Sequence, residues 1–196
     1  MSVRGVAQLR GIVYVDCDRA AGFREEVFKR AREGGIQSAM RMTRAVYETI
    51  RAHGVETYPY ESCGALLGRS TPHGWWIEAA VKAVNSRTES PKNQYQIAPA
   101  ELVKIEREAR RRGLSIAGFY HSHPDHPAQW SPTDFAEAHW LGCCYVITEV
   151  GQGKAIVTNS FLLAGRSEED KRFEPERIEV AETVEPPGAG IESPKT

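Results

Sequence analysis

His121 and His123 stand two residues apart in the segment "YHSHPDHPAQWSPTDF", which runs from Tyr120 to Phe135. Side chains two apart on an extended strand project from one face, so the imidazoles form a pair. Such a pair suits a zinc site, where nitrogen and oxygen ligands lie about 2.0–2.2 Å from the ion. Pro124 then turns the chain out of the strand. A catalytic zinc keeps one position for water and takes three protein ligands, so a third is needed. The segment offers two. His126, with Asp125 beside it, completes an H-x-H-x-D-H pattern. Asp134 lies in "SPTD", a helix start with Ser131 at the N-cap, Pro132 at N1 and Asp134 at N3. That pattern needs no metal to explain it. Following H-S-H-P, however, it also sets a carboxylate in a fixed first turn.

The elements that must position these groups can be read from periodicity. "LSIAGFYHS" is an apolar strand that delivers the chain into the motif, and a helix is expected from Ser131. Upstream, "RMTRAVYETIRAHG" places Met42, Val46 and Ile50 at helical spacing and predicts a helix ending at Gly54. "CGALLGR" and "GWWIEAAVKAV" read as strands joined by "STPHG". "NSRTESPKNQYQI" reads as a loop, and "APAELVKIEREARRRG" as a helix with Leu102, Ile105 and Ala109 on one face. "CCYVITEV" and "KAIVTNSFLLAG" follow as strands. The order α-β-β-α-β-α-β-β predicts an α/β (α+β) sandwich around a central mixed sheet flanked by helices.

The chain has 196 residues, 41% hydrophobic and 26% charged, with a formal net charge of −1. That is room for one domain with a proper core, and the charge gives no reason to expect nucleic acid or an anionic membrane as partner. The short apolar run "GIVYV" is below the length of a signal-peptide core, so a cytoplasmic protein is expected. Cys17, Cys63, Cys143 and Cys144 form no CxxC pair and are expected as reduced, mostly buried thiols. Residues 1–38 read as an extension holding a short strand and a helix, "AGFREEVFKRARE". Residues 39–165 form the main domain. Residues 166–196 read as a largely disordered tail, ending in the Pro/Gly-rich "VEPPGAGIESPKT".

H-S-H-P, six residues, then S-x-x-D resembles the motif of the JAMM (MPN-plus, JAB-type) metalloprotease family. "ESCGALLG", "YQIAPAEL", "GFYHSHP" and "YVITEV" occur in the family's order, so the resemblance covers roughly residues 40–165. It implies a single MPN/JAB-type domain with cytidine-deaminase-like layering. It also implies one zinc per chain, held by His121, His123 and Asp134, with Ser131 stabilising the oxyanion. The family's upstream glutamate maps onto Glu61, which would take a proton from the zinc-bound water and return it to the leaving amine. The sequence looks closest to the bacterial branch associated with ubiquitin-like sulfur carriers of the ThiS and MoaD type. The implied activity is hydrolysis after the carrier's C-terminal Gly-Gly, and the loop from Asn85 to Tyr95 and the segment after Glu61 would border the groove for that tail.

H-x-H-x-D-H resembles the metallo-β-lactamase superfamily instead, but that pattern needs further histidines downstream and none follows His139. A second alternative is a catalytically silent scaffold module of the same fold. His126 is expected in a loop, and His53, His73 and His139 are expected to be exposed or at helix ends. Cys63 is expected as a small buried residue rather than a nucleophile. Trp75 and Trp76 alternate on a strand, which predicts one in the core and one at the surface. Trp130 is expected to overhang the metal.

Overall fold

A computed structural model of the chain describes residues 8–9, 12–13, 39–72 and 74–182. Strands β1 (Gln8–Leu9) and β2 (Ile12–Val13) pair antiparallel as a two-stranded ladder. The helix expected in "AGFREEVFKRARE", His73 and Cys17 lie outside the described residues.

The remaining strands are β3 (Ala39–Thr43), β4 (Cys63–Thr71), β5 (Gly74–Ala83), β6 (Ser115–Pro124), β7 (Cys144–Gly151), β8 (Lys154–Ala164) and β9 (Arg172–Ala181). They form one mixed sheet in the order β3-β5-β4-β6-β7-β8-β9, which curls until β9 pairs with β3 and closes a barrel. Among the described residues the helices are α1 (Arg44–Thr57), α2 (Pro99–Arg111) and α3 (Pro132–Glu137). Alternation along each strand sends neighbouring residues to opposite sides of the sheet. Ala65, Leu67, Phe119 and Tyr145 pack with Ile105 and Ala109 of α2 on one side. Leu66, Tyr120 and Val146 pack with Val46 and Ile50 of α1 on the other. A sheet covered on both faces by helices is what the sequence predicts. Its closure into a barrel is an addition.

Several local expectations change. Met42 belongs not to a helix but to β3, where it is fully buried. The helix begins after Thr43, whose side chain accepts the Val46 N–H at 3.3 Å as an N-cap. It also runs past Gly54 to Thr57. Gly54 is there for close packing rather than for termination, since a Cβ would sit 2.9 Å from Val150 Cγ2. Part of the expected tail is also structured: Arg172–Ala181 pairs antiparallel with β8 and parallel with β3. Trp75 and Trp76 are both buried. In a sheet covered on both sides, alternation does not separate core from surface.

His53 is buried too, with Nδ1 2.9 Å from the Tyr120 hydroxyl, because the inner face of α1 includes it. Tyr120 crosses beneath β4 at Gly64, where a Cβ would lie 2.4 Å from its ring and 2.3 Å from the Val81 carbonyl oxygen. Both atoms sit in packed sheet, so neither can yield cheaply. Gly64→Ala is therefore expected to cost at least ~3 kcal/mol. Urea unfolding of the variant beside the wild-type chain measures this, and an unchanged midpoint would contradict the packing.

Candidate active site

Strand β6 carries His121 and His123, and helix α3 carries Asp134. β6 lies between β4 and β7, with Cys63 opposite His121, so the histidine strand is held on both edges. His121 Nε2 lies 3.0 Å from His123 Nε2 and 3.3 Å from Asp134 Oδ1, and His123 Nε2 lies 3.5 Å from Asp134 Oδ2. Ligand atoms of the three residues all fall within 4.8 Å of one another. A tetrahedral ion with bonds of about 2.0–2.1 Å holds its ligands roughly 3.3 Å apart. The spacing therefore fits zinc, as does the set of two imidazoles and one carboxylate. Both histidines are buried. His123 Nδ1 is 2.9 Å from the Pro127 carbonyl oxygen, an acceptor that fixes a proton on Nδ1 and turns Nε2 toward the site.

Asp134 is placed by its helix start. The Ser131 N–H donates to Asp134 Oδ2 at 2.6 Å, and the Asp134 N–H donates to Ser131 Oγ at 3.1 Å. This reciprocal capping box makes one short motif do two jobs. It rotates the carboxylate toward the histidines, and it leaves the Ser131 hydroxyl proton free, because Oγ is used there as an acceptor. Lys171 reaches from the β8–β9 connection to the Ala138 carbonyl at 2.8 Å, just past the end of α3, which pins the helix to the barrel.

Glu61 precedes β4 and is 4% exposed. The loop between β5 and α2 grips its backbone: the Glu61 N–H donates to the Pro91 carbonyl at 3.0 Å, and Asn85 Nδ2 donates to the Glu61 carbonyl at 3.4 Å. Its Oε2 is buried without a hydrogen-bond partner among the described residues. A buried acceptor left open in this way invites a proton, a water or a substrate N–H.

The charges sort themselves by environment. Burial alone would raise the Asp134 pKa, but hydrogen bonds from His121 and His123 outweigh it and hold the carboxyl well below the usual range. Burial lowers His121 against the pull of Asp134. His123 is also penalised by burial, yet its bonds to Asp134 and Pro127 raise it overall. Burial pushes Glu61 up to about 8; the positive field of His123 opposes this, while Asp134 and Glu137 add to it. Asp134 thus stays an anion fit to hold a cation, while Glu61 is poised to exchange a proton near neutrality.

The other candidates stand outside this cluster of ligand atoms. Asp125 and His126 are exposed, and the Asp125 carboxylate is taken by the Tyr58 hydroxyl at 2.8 Å and the Gln152 N–H at 3.0 Å. The H-x-H-x-D-H reading therefore has no geometry behind it. Cys63 donates to the Ala83 carbonyl at 3.8 Å, and burial pushes its thiol up to about 12, which leaves it inert. Cys143 and Cys144 are buried, and the Cys143 thiol donates to the Ile116 carbonyl at 3.9 Å. His139 sits 3.1 Å from Glu168. Trp130 is 41% exposed and leans on Phe135 and Phe173, which holds it in an aromatic cluster shared by α3 and β9. The sequence reading missed Asn85 and Tyr95 as individual residues. An asparagine and a lone aromatic in a polar loop were the available signals.

Residues 43–164 match the sequence model of the prokaryotic homologs of the JAB domain. The chain belongs to the prokaryotic JAB family. Two relatives extend the comparison of this JAB chain. It is 36% identical over 97 residues to the "probable TtuB-protein conjugate cleaving protease" of Thermus thermophilus, covering 50% of the chain and 62% of that protein. It is 35% identical over 89 residues to the "desampylase" of Haloferax volcanii, covering 45% and 62%. The chain thus spans less than two thirds of either relative's length. Among solved structures, a protein of Desulfitobacterium hafniense superposes with a TM-score of 0.64 at 28% identity, over 74% of this chain and 95% of that one. A protein of Salinibacter ruber superposes with a TM-score of 0.58 at 34% identity, over 79% and 97%. Both superpositions extend over nearly the whole of the solved chains, so the fold is shared with them. Among the described residues, no helix is long and apolar enough to cross a membrane.

Proposed function

We propose that this chain is a zinc-dependent peptidase or isopeptidase that cleaves after the C-terminal Gly-Gly of a ubiquitin-like protein of the ThiS/MoaD sulfur-carrier type. The observation that carries this reading is the convergence of His121, His123 and Asp134, together with a buried glutamate whose proton affinity is raised toward neutral pH. The names of the two relatives, a conjugate-cleaving protease and a desampylase, support the substrate class.

When bound by His121, His123 and Asp134, zinc supplies Lewis-acid polarisation and a water of lowered pKa. The protein residues do the rest. The Glu61 carboxylate accepts the proton of the attacking water and then passes it to the nitrogen of the leaving amine, so base and acid are one group. The Ser131 hydroxyl donates to the oxyanion that forms on the scissile carbonyl, in a geometry set in advance by the capping box. Gly-Gly suits a narrow approach because neither residue has a Cβ.

The test is hydrolysis of a ThiS/MoaD-type carrier bearing a short extension after Gly-Gly, with products read by intact mass. Zinc-loaded protein is expected to release the extension at that bond, and Glu61→Gln is not. A protein that holds one zinc and leaves the carrier whole would refute the substrate assignment.

A further inference from the structure

The two histidines of the metal centre are held in different ways. His123 has the Pro127 carbonyl behind it. His121 Nδ1 is buried and has no hydrogen-bond partner among the described residues, although His121 is the more deeply buried of the two at 1% exposure. An imidazole that ligates through Nε2 normally has its other nitrogen tied to a carbonyl or carboxylate, which fixes its plane. Here something else must do that. The Tyr95 ring lies against His121, with centroids 4.6 Å apart and planes inclined by 26°. This is a stacked arrangement, whereas His121 and His123 themselves are tilted at 57°. Tyr95 is itself fixed: it packs against the apolar cluster beneath α2, and the Gln94 carbonyl before it accepts from Asn85.

We propose that Tyr95 is a positioning residue for the metal centre, its aromatic face holding the His121 imidazole in the plane that points Nε2 at His123 and Asp134. The inference rests on the metal-site reading above. A stack resists tipping of the ring about an axis in its plane, and offset-stacked aromatic pairs are favoured beyond the area they bury. It needs the ring and not the hydroxyl, so phenylalanine replaces tyrosine without loss and an aliphatic residue does not. The same contact explains how a loop between β5 and α2 bears on a centre built by β6 and α3. It clasps the Glu61 backbone through Pro91 and Asn85 and braces His121 through Tyr95, so both groups are registered by one segment.

The experiment uses the full chain as wild type, Tyr95→Phe and Tyr95→Leu. Zinc affinity is measured by competition with a chromogenic chelator, and site geometry by the absorption of the cobalt-substituted protein. Tyr95→Phe is expected to match the wild type in both. Tyr95→Leu is expected to bind about 10–100-fold more weakly, as other residues that orient a ligand do when removed, with an altered cobalt spectrum. Equal affinity and spectrum in the leucine variant would overturn the proposal, as would a phenylalanine variant as impaired as leucine. A second arm needs only the wild type and Tyr95→Phe. The His121 ring protons should be displaced upfield by the neighbouring aromatic ring in both, with or without metal. Unshifted resonances would show that the stack does not exist in solution, whatever the leucine variant does. If the wild type itself takes up no metal, the site reading fails, and the ring-proton shifts still report separately on the stack.

Discussion

Glu61→Gln is expected to abolish cleavage while making the metal-free protein more stable at alkaline pH. The amide keeps the size of the side chain but can neither take nor return a proton. The general acid–base contribution of about 10²–10⁴-fold is therefore lost from kcat. The stability effect has a separate origin. Burial holds the Glu61 carboxyl at about 8 in the folded metal-free chain, against an ordinary 4.5. A carboxyl raised in this way stabilises the fold only while it is protonated. Its contribution is full below the unfolded value and is lost as pH climbs through the folded one, so the window runs from about 4.5 to 8. Across it the wild-type chain loses on the order of 3–5 kcal/mol that the glutamine variant keeps. Denaturant unfolding of the metal-free proteins at pH 4.5 and pH 9 checks this. The two should nearly coincide at the first pH and diverge at the second with glutamine the more stable. Parallel pH profiles would mean that the carboxyl is solvated.

Asp134→Asn is the second large effect, and it separates the metal from the fold. Asparagine retains an oxygen that can accept the Ser131 N–H, so the start of α3 is expected to survive. What disappears is the anion that His121 and His123 hold ionised. Zinc affinity is expected to fall more than about 100-fold, since ligand loss exceeds the 10–100-fold typical of outer partners. Bound zinc measured after dialysis should drop from one per chain to nearly none. The wild type should also gain thermal stability with added zinc, by about 2.7 kcal/mol when free zinc is 100 times the dissociation constant. The variant should gain none. Undiminished zinc in Asp134→Asn would remove this aspartate from the ligand set and leave the third position to be found elsewhere.

His121, His123 and Asp134 could be singled out as candidates because strand period and helix capping are local rules acting within one short segment, while the preference for Asp134 over His126 came from the resemblance. Ser131 and Glu61 became candidates only by resemblance. "SPTD" alone is a helix start, and a glutamate before a strand is usually solvated. The misread elements share a cause. Met42 sits at helical spacing from Val46 and Ile50, yet it is strand, because Ala39–Thr43 finds β5 on one side and β9 on the other. Arg172–Ala181 is mostly polar and contains Pro175, and the short alternation at Ile178 and Val180 does not by itself mark it as the strand that closes the barrel.

The sequence by itself determined the fold class and the chemistry on offer, since each depends on residue type, on short spacing or on periods of two and 3.6, and its motif carried the resemblance that pointed to the family. Tertiary structure decided what those groups experience. Cover on both faces of the sheet buried Trp76, and the packing of α1 on the sheet buried His53. The approach of α3 to β6 brought a capping aspartate against two histidines, which hold its carboxyl far below the ordinary pKa. The loop from Asn85 to Tyr95 was brought over the site to clasp Glu61 and stack on His121. Burial and charge fields are set by neighbours distant in sequence, and no window along the chain contains them.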